Sequence, residues 1–115
     1  MIVAVAAGAF GAHGLRGYFD AHPDLKLESW WDTAVQYHVM HALGLFAIAW
    51  ATTQFDTVSL VNWAGWLLLV GILIFSGSLY LMTFTRQTWL GAITPIGGVA
   101  FIAGWACLLW AAVTN

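Results

Sequence analysis

Apolar residues are concentrated in four stretches of the chain, and short polar segments separate them. The predicted helices cover about residues 1–14, 30–51, 60–84 and 95–113. About 20 helical residues cross a hydrocarbon core about 30 Å thick, and the last three stretches reach that length. None of them carries an acidic or basic side chain in its interior, and the alternation typical of a barrel strand is absent. The pattern predicts an all-α fold with a single domain, an integral membrane four-helix bundle.

The first apolar stretch is shorter than a full membrane crossing. A helix over residues 1–13 would be about 20 Å long. The stretch has no basic segment at its start, which a secretory signal peptide would carry. We expect that the sequence begins partway through a membrane helix, and a short helix sheltered by its neighbours is the alternative.

The composition excludes the soluble classes. Hydrophobic residues make up 62% of the chain and charged residues 7%, and the formal net charge is −2. Soluble domains are about one quarter charged. So few Lys and Arg residues provide no basic face for nucleic acid, so the expected partner is the lipid bilayer. The single cysteine excludes a disulfide framework.

The few charged residues lie in the predicted loops, apart from Asp32 in the first turn of the second helix, and they indicate the topology. Arg16 and Lys26 follow the first helix, and Arg86 lies between the third and the fourth. Because basic residues favour the cytoplasmic side, both termini are predicted to lie outside. Acidic residues recur every four positions, which predicts an amphipathic helix in part of the loop 15–29. These acids are Asp20, Asp24, Glu28 and Asp32.

Small residues recur at steps of three and four along the predicted helices. The longest such stripe is on the last helix: Gly97, Ala100, Gly104, Cys107 and Ala111. Shorter stripes on the first two helices include Gly8, Gly11 and Gly44. Small residues let helix backbones approach closely in lipid, where apolar burial contributes little to association. The stripes predict packing within a self-contained bundle, and the alternative is that one of them faces another protein.

Histidines are the residues within the predicted spans that could hold a ligand. His38 and His41 share one face of the second helix with Tyr37, and His13 ends the first helix on the same side of the membrane. Imidazoles at one end of a bundle could bind a metal ion or haem. The depths along the helices favour a His13–His38 pair over a site with three histidines. The structural alternative is that each histidine forms a hydrogen bond to a neighbouring helix.

A second polar cluster lies on the third helix. Ser76, Ser78 and Tyr80 occupy the half nearer the predicted cytoplasmic side, where they could meet the histidines. The spans contain no buried carboxylate or base of the kind that ion-coupled transporters use. They also contain no set of nucleophile, base and acid. We therefore expect a protein that is not an enzyme.

Four sequence motifs along the chain resemble those of one known family. They are Gly8–Gly14, Thr33–Gly44, Phe75–Tyr80 and Gly91–Gly98. Together they are similar to the bacterial inner-membrane family called domain of unknown function 423, which is itself similar to eukaryotic transmembrane protein 256. The resemblance implies four membrane helices, the bacterial inner membrane and members that usually begin several residues upstream, but no activity. The family pattern matches at His13, His38, His41, Ser76, Tyr80, Pro95, Gly97 and Gly98.

These features lead to one functional hypothesis and two alternatives. We expect a non-enzymatic multi-pass protein that acts by helix association, as an accessory subunit of a membrane complex or as a membrane-organising factor. Its partners would be other membrane subunits or a second copy of itself. No resident cofactor is expected. The alternatives are a metal- or haem-binding protein that uses His13 and His38, and a transporter of small molecules.

Overall fold

The computed structural model describes all 115 residues and is helical throughout, with no β-strand. Its α-helices are, in chain order, α1 (Ile2–His13), α2 (Arg16–Asp20), α3 (Leu27–Ala51), α4 (Val58–Gly71), α5 (Gly77–Thr85) and α6 (Thr94–Val113). A π-helical turn, Ile72–Ser76, joins α4 to α5, and a 3₁₀ turn, Thr88–Ala92, leads into α6.

Three continuous helical segments are long and apolar enough to cross a membrane. They are Leu27–Ala51, Val58–Thr85 and Thr88–Val113, with 25, 28 and 26 residues. α1 is apolar but has only 12 residues. The all-α membrane class predicted from the hydrophobic pattern is confirmed, as three helices of membrane-spanning length and a short N-terminal one.

The central helix of the molecule is the continuous segment formed by α4, the π turn and α5. α3 packs against all three of its parts, α6 packs along α4 and the π turn, and α1 packs on α3. The largest apolar core lies where α3, α4 and α6 meet. Its fully or almost fully buried members are Ile48, Ala51, Val61, Ala64, Leu68, Ile72, Phe101 and Ala111.

The small-residue stripe of α6 faces the central helix. A Cβ added at Gly97 would collide with the backbone of Phe75, and one added at Gly104 would lie 2.9 Å from Leu68 Cδ2. Ala111 is fully buried, while Ala100 and Cys107 are partly buried. α6 therefore uses this stripe to approach its own neighbour, as close packing in lipid requires.

The small residues of α1 and α3 also lie at contacts within the chain. A Cβ at Gly11 would collide with the indole of Trp31, and one at Gly8 would lie 3.4 Å from Val35. Gly44 of α3 leaves room for the indole of Trp105, which would lie 3.0 Å from an added Cβ.

The segment between α1 and α3 differs from the predicted amphipathic helix. α2 ends at Asp20, and residues 21–26 form turns, so the four acids do not share one helix. Pro23 explains the interruption, because proline lacks a backbone N–H and disfavours helical geometry in the residue before it. α3 begins at Leu27, about one turn before the predicted start at residue 30.

Candidate functional site

The two predicted polar clusters meet between α3 and the central helix. Ser76, which is 1% exposed, donates a hydrogen bond of 2.8 Å from Oγ to the carbonyl oxygen of Ala34. His38 Nδ1 lies 3.3 Å from the Tyr80 hydroxyl. Trp31, one turn from Ala34 on α3, packs on Tyr80 with ring centroids 4.7 Å apart. Polar side chains thus join α3 to the π turn and α5.

Trp31 also joins α3 to α1. Its indole Nε1 donates a hydrogen bond of 3.0 Å to the carbonyl oxygen of Ala7, across the space that Gly11 leaves open. The sequence patterns did not predict this role of Trp31. The signal that could have revealed it is the pairing of a glycine on α1 with a large aromatic residue near the start of α3.

A chain of two hydroxyl groups connects α6 to the end of the π turn. Ser78 Oγ donates to the carbonyl oxygen of Phe75 at 2.9 Å and lies 2.7 Å from Thr94 Oγ1. The Thr94 hydroxyl has two acceptors within reach, Ser78 Oγ and, at 3.4 Å, the carbonyl oxygen of Leu90. Ser78 was predicted as a site residue, and its partner Thr94 was not.

His22, in the turn after α2, is held by two hydrogen bonds at one end of the molecule. Its Nδ1 donates to the carbonyl oxygen of Tyr18 at 2.9 Å, because a carbonyl can only accept. Its Nε2 then accepts from Arg86 Nη1 at 3.1 Å. Tyr18 donates from its hydroxyl to the Thr83 carbonyl oxygen at 3.0 Å. The segment after α1 is therefore bonded to the end of α5.

His13 and His38, the two histidines predicted as a possible metal site, lie in different surroundings. His13 is exposed at the end of α1 and makes no side-chain hydrogen bond, whereas His38 is partly buried beside Tyr80. No group of three or more histidine, cysteine, aspartate or glutamate side chains is arranged to hold a metal ion.

His41 lies in different surroundings from His38, on the side of α3 that faces α6. Its ring stacks face to face on Phe101, with centroids 3.5 Å apart and an interplanar angle of 10°. Tyr37 stacks in turn on Phe75, with centroids 4.4 Å apart. These rings border a groove of about 450 Å³. The groove is lined by Tyr37, Met40, His41, Phe75, Gly98, Phe101, Ile102 and Trp105.

The hydrogen bond of His41 shows which of its ring nitrogens carries the proton and which carries the lone pair. Nδ1 lies 2.8 Å from the carbonyl oxygen of Tyr37, so Nδ1 carries the proton and donates it. In the neutral ring Nε2 then has a lone pair and is an acceptor or a metal ligand. Every fully buried side-chain nitrogen or oxygen in the chain has a hydrogen-bond partner. Nε2 has none, so it is not fully buried, even though His41 is only 4% exposed and lines the groove.

The outer surface of α3 carries one amide that faces away from the other helices. Gln36 is exposed and makes no side-chain hydrogen bond within the chain. Asp32 precedes it by one turn, and the exposed apolar residues Met40 and Leu43 follow it on the same face. Sequence reasoning missed Gln36, although an amide between apolar positions of a predicted span was the available signal.

Comparisons with known proteins place these features in context. The family model described as "Protein of unknown function (DUF423)" matches residues 7–98. UPF0382 membrane protein YwdK of Bacillus subtilis (strain 168) is 51% identical over 112 residues, covering 97% of this chain and 88% of that protein. A UPF0382 membrane protein of Staphylococcus haemolyticus is 50% identical over 110 residues, covering 94% of this chain and 84% of that protein. No solved structure matches the chain.

Proposed function

This chain belongs to the family described as "Protein of unknown function (DUF423)", whose relatives are named membrane proteins, and we propose that it acts by associating with another membrane protein. In this proposal it is a non-enzymatic accessory subunit of an inner-membrane complex. A membrane-organising factor that has no fixed partner is the related alternative.

The observation that carries the proposal is the exposed amide of Gln36. It lies nine positions after Leu27, about 13 Å along α3, and about one turn past Asp32. An amide without a hydrogen-bond partner costs about 2–7 kcal/mol in an apolar medium. A hydrogen bond to a polar group on a partner helix removes that cost, and such bonds contribute about 0.6 kcal/mol on average in membrane proteins.

The small-residue stripes are used for packing within the chain, so a partner would have to contact a different surface. Gly97 and Gly104 face the central helix, and Gly11 faces Trp31, so these residues pack within the chain. Among the exposed apolar surfaces, we propose the outer face of α3 for the partner, because there the unpaired amide of Gln36 is followed by the apolar residues Met40 and Leu43. We propose that a transmembrane helix of a different protein, with a polar side chain opposite Gln36, packs on this face.

The test is native electrophoresis after mild solubilisation of membranes that contain the full chain. We expect the wild-type protein to migrate in a complex with a second polypeptide in fixed stoichiometry. Gln36→Leu should release a monomer, because leucine suits lipid and cannot form the interhelical hydrogen bond. Asn62→Leu is the matched control, since Asn62 is an exposed amide on α4, and this variant should leave the complex intact.

Other outcomes of this experiment would count against an accessory subunit. A wild-type protein that migrates as a monomer would overturn the proposal, as would an assembly made only of copies of this chain. A metal ion bound through His13 and His38 would favour the metal-binding alternative, and loss of small-molecule uptake on deletion would favour the transporter. Elemental analysis and uptake assays on the same membranes distinguish these outcomes.

A further inference from the structure

The groove between α3 and α6 is a consequence of how α6 packs. Gly97 lets α6 press against the backbone of Phe75, and α3 packs on the central helix rather than directly along α6. The resulting space has a volume of about 450 Å³. His41 lies 14 positions after Leu27, about 21 Å along a helix of 25 residues, so the groove is near the middle of α3.

Two polar groups at the groove have no partner within the chain. His41 Nε2 is an acceptor, because Nδ1 gives its proton to the carbonyl oxygen of Tyr37. The Tyr37 hydroxyl forms no hydrogen bond either, and it is not fully buried, since all fully buried polar side-chain atoms have partners. Polar groups that lie unpaired in apolar surroundings are costly, and a bound polar ligand removes that cost.

The remaining lining of the groove is aromatic and aliphatic. Phe75, Phe101 and Trp105 present rings to it, and Met40 and Ile102 are exposed beside them. Rings favour a flat ligand, because offset and edge-to-face aromatic contacts stabilise the pair. The exposed aliphatic residues favour a ligand that continues into the hydrocarbon.

We propose that this groove binds a prenylated hydroquinone, with His41 Nε2 accepting a hydrogen bond from a ring hydroxyl. The Tyr37 hydroxyl donates to an oxygen of the same ligand, and the isoprenoid tail extends along the outer surface into the lipid. A phospholipid chain offers no donor at this depth, because its polar headgroup lies at the membrane interface. His41 lies about 60° around α3 from His38, and His38 does not line the groove, so this site is distinct from the His38–Tyr80 contact and does not depend on the association proposed above.

The hydrogen-bond pattern predicts a preference for the reduced ligand. A hydroquinone has a hydroxyl proton to donate to Nε2, whereas the oxidised quinone has only acceptor oxygens. Both forms share the ring and the tail. Loss of one hydrogen bond of ordinary strength changes an affinity by up to about tenfold. We therefore expect decylubiquinol to bind about tenfold more tightly than decylubiquinone.

The experiment measures binding of these two probes to the full chain in detergent micelles under anaerobic conditions. His41→Phe keeps the stacking on Phe101 but removes the acceptor, and it should weaken decylubiquinol binding about tenfold. Tyr37→Phe removes only a hydroxyl and should weaken binding several-fold without disturbing the fold. His38→Phe is the matched control, because His38 does not line the groove, and it should leave the affinity unchanged.

Three results would overturn the proposal. One is equal affinity of the wild-type protein for the two probes, or no binding of either. The second is a Tyr37→Phe variant that folds and binds both probes as the wild type does. The third is a haem absorption band in the purified protein that His41→Phe abolishes, since Nε2 would then be an iron ligand rather than a hydrogen-bond acceptor.

Discussion

At the scale of single residues, glycine positions decide how closely the helices approach. Gly97 and Gly98 are adjacent on α6, yet only Gly97 faces the central helix. A Cβ at Gly97 would collide with the Phe75 backbone, with Phe75 Cα 2.8 Å away. A Cβ at Gly98 would have its nearest neighbours 3.9 Å away, on the Phe75 ring, which is ordinary van der Waals contact. The two positions thus offer a matched pair of substitutions.

We predict opposite effects of alanine at these two positions. Gly97→Ala should destabilise the protein by about 1–3 kcal/mol, because the methyl group meets backbone that cannot move aside cheaply. Gly98→Ala should be neutral or stabilising by up to about 1 kcal/mol, since alanine is the better helix former. Unfolding by sodium dodecyl sulfate in mixed micelles, followed by circular dichroism, measures both. Equal effects of the two substitutions would contradict the close contact at Gly97.

The spacing of small residues predicted much of this packing, and the chemistry of the histidines was harder to predict. Gly97, Gly104 and Ala111 are buried on one side of α6, as their spacing of seven positions, two helical turns, indicates. Spacing could also show that His38 and His41 share a helix face. It could not show that one ring lies beside Tyr80 and the other on Phe101, because that depends on where the neighbouring helices lie.

At the scale of helices, the π turn Ile72–Ser76 is the main irregularity of the central span. π turns in α-helices widen the backbone locally and are frequent at functional sites. This one contains Phe75, which borders the groove, and Ser76, which bonds to α3. Its sequence, Ile-Leu-Ile-Phe-Ser, has no proline or glycine, so the apolar pattern predicted a regular helix there. The π turn lies where Phe75 meets Gly97 of α6 and Ser76 bonds to α3, which are contacts that the local sequence pattern does not show.

The hydroxyl chain from Thr94 through Ser78 to Phe75 should act as one unit. Ser78→Ala removes the bonds to Phe75 and Thr94 and should cost about 1–2 kcal/mol. Thr94→Val removes the bond to Ser78 and a long bond of 3.4 Å to the Leu90 carbonyl oxygen, and it should cost less. The double variant should cost little more than Ser78→Ala alone, because neighbouring groups in one network are not additive. Detergent unfolding titrations of the three variants measure this.

A control for the hydroxyl chain is available on the same helix. Thr85 is exposed and donates only to the Leu81 carbonyl oxygen of α5, at 2.7 Å. Thr85→Val should therefore change the free energy of unfolding by less than about 0.5 kcal/mol. Strictly additive costs for the Ser78 and Thr94 substitutions would show that the two hydroxyls act independently.

At the scale of the whole molecule, the basic residues are gathered at one end. Arg86 contacts His22, and Tyr18 of α2 bonds to Thr83 of α5, so the segment after α1 and the end of α5 lie together. Arg16 and Lys26 belong to the same segment. The opposite end, where Asp56 N bonds to Asn115 Oδ1, has no basic side chain. The order of residues along the chain predicted this separation of charge. The long-range contacts of Arg86 and Tyr18 are consistent with it, because they place the three basic residues at the same end.

This charge separation predicts that both termini are outside and that the Arg86 end is cytoplasmic, because Lys and Arg in short loops are retained inside. Alkaline phosphatase fused after Asn115 should be active, and the same enzyme fused after Gln87 should be inactive. The contacts of His22 and Tyr18 ensure that the two fusion points report on opposite ends. The reverse pattern of activity would show an inverted orientation.

Replacing Arg16, Lys26 and Arg86 together with Gln should give a mixture of both orientations, since these three residues are the only Lys or Arg in the chain.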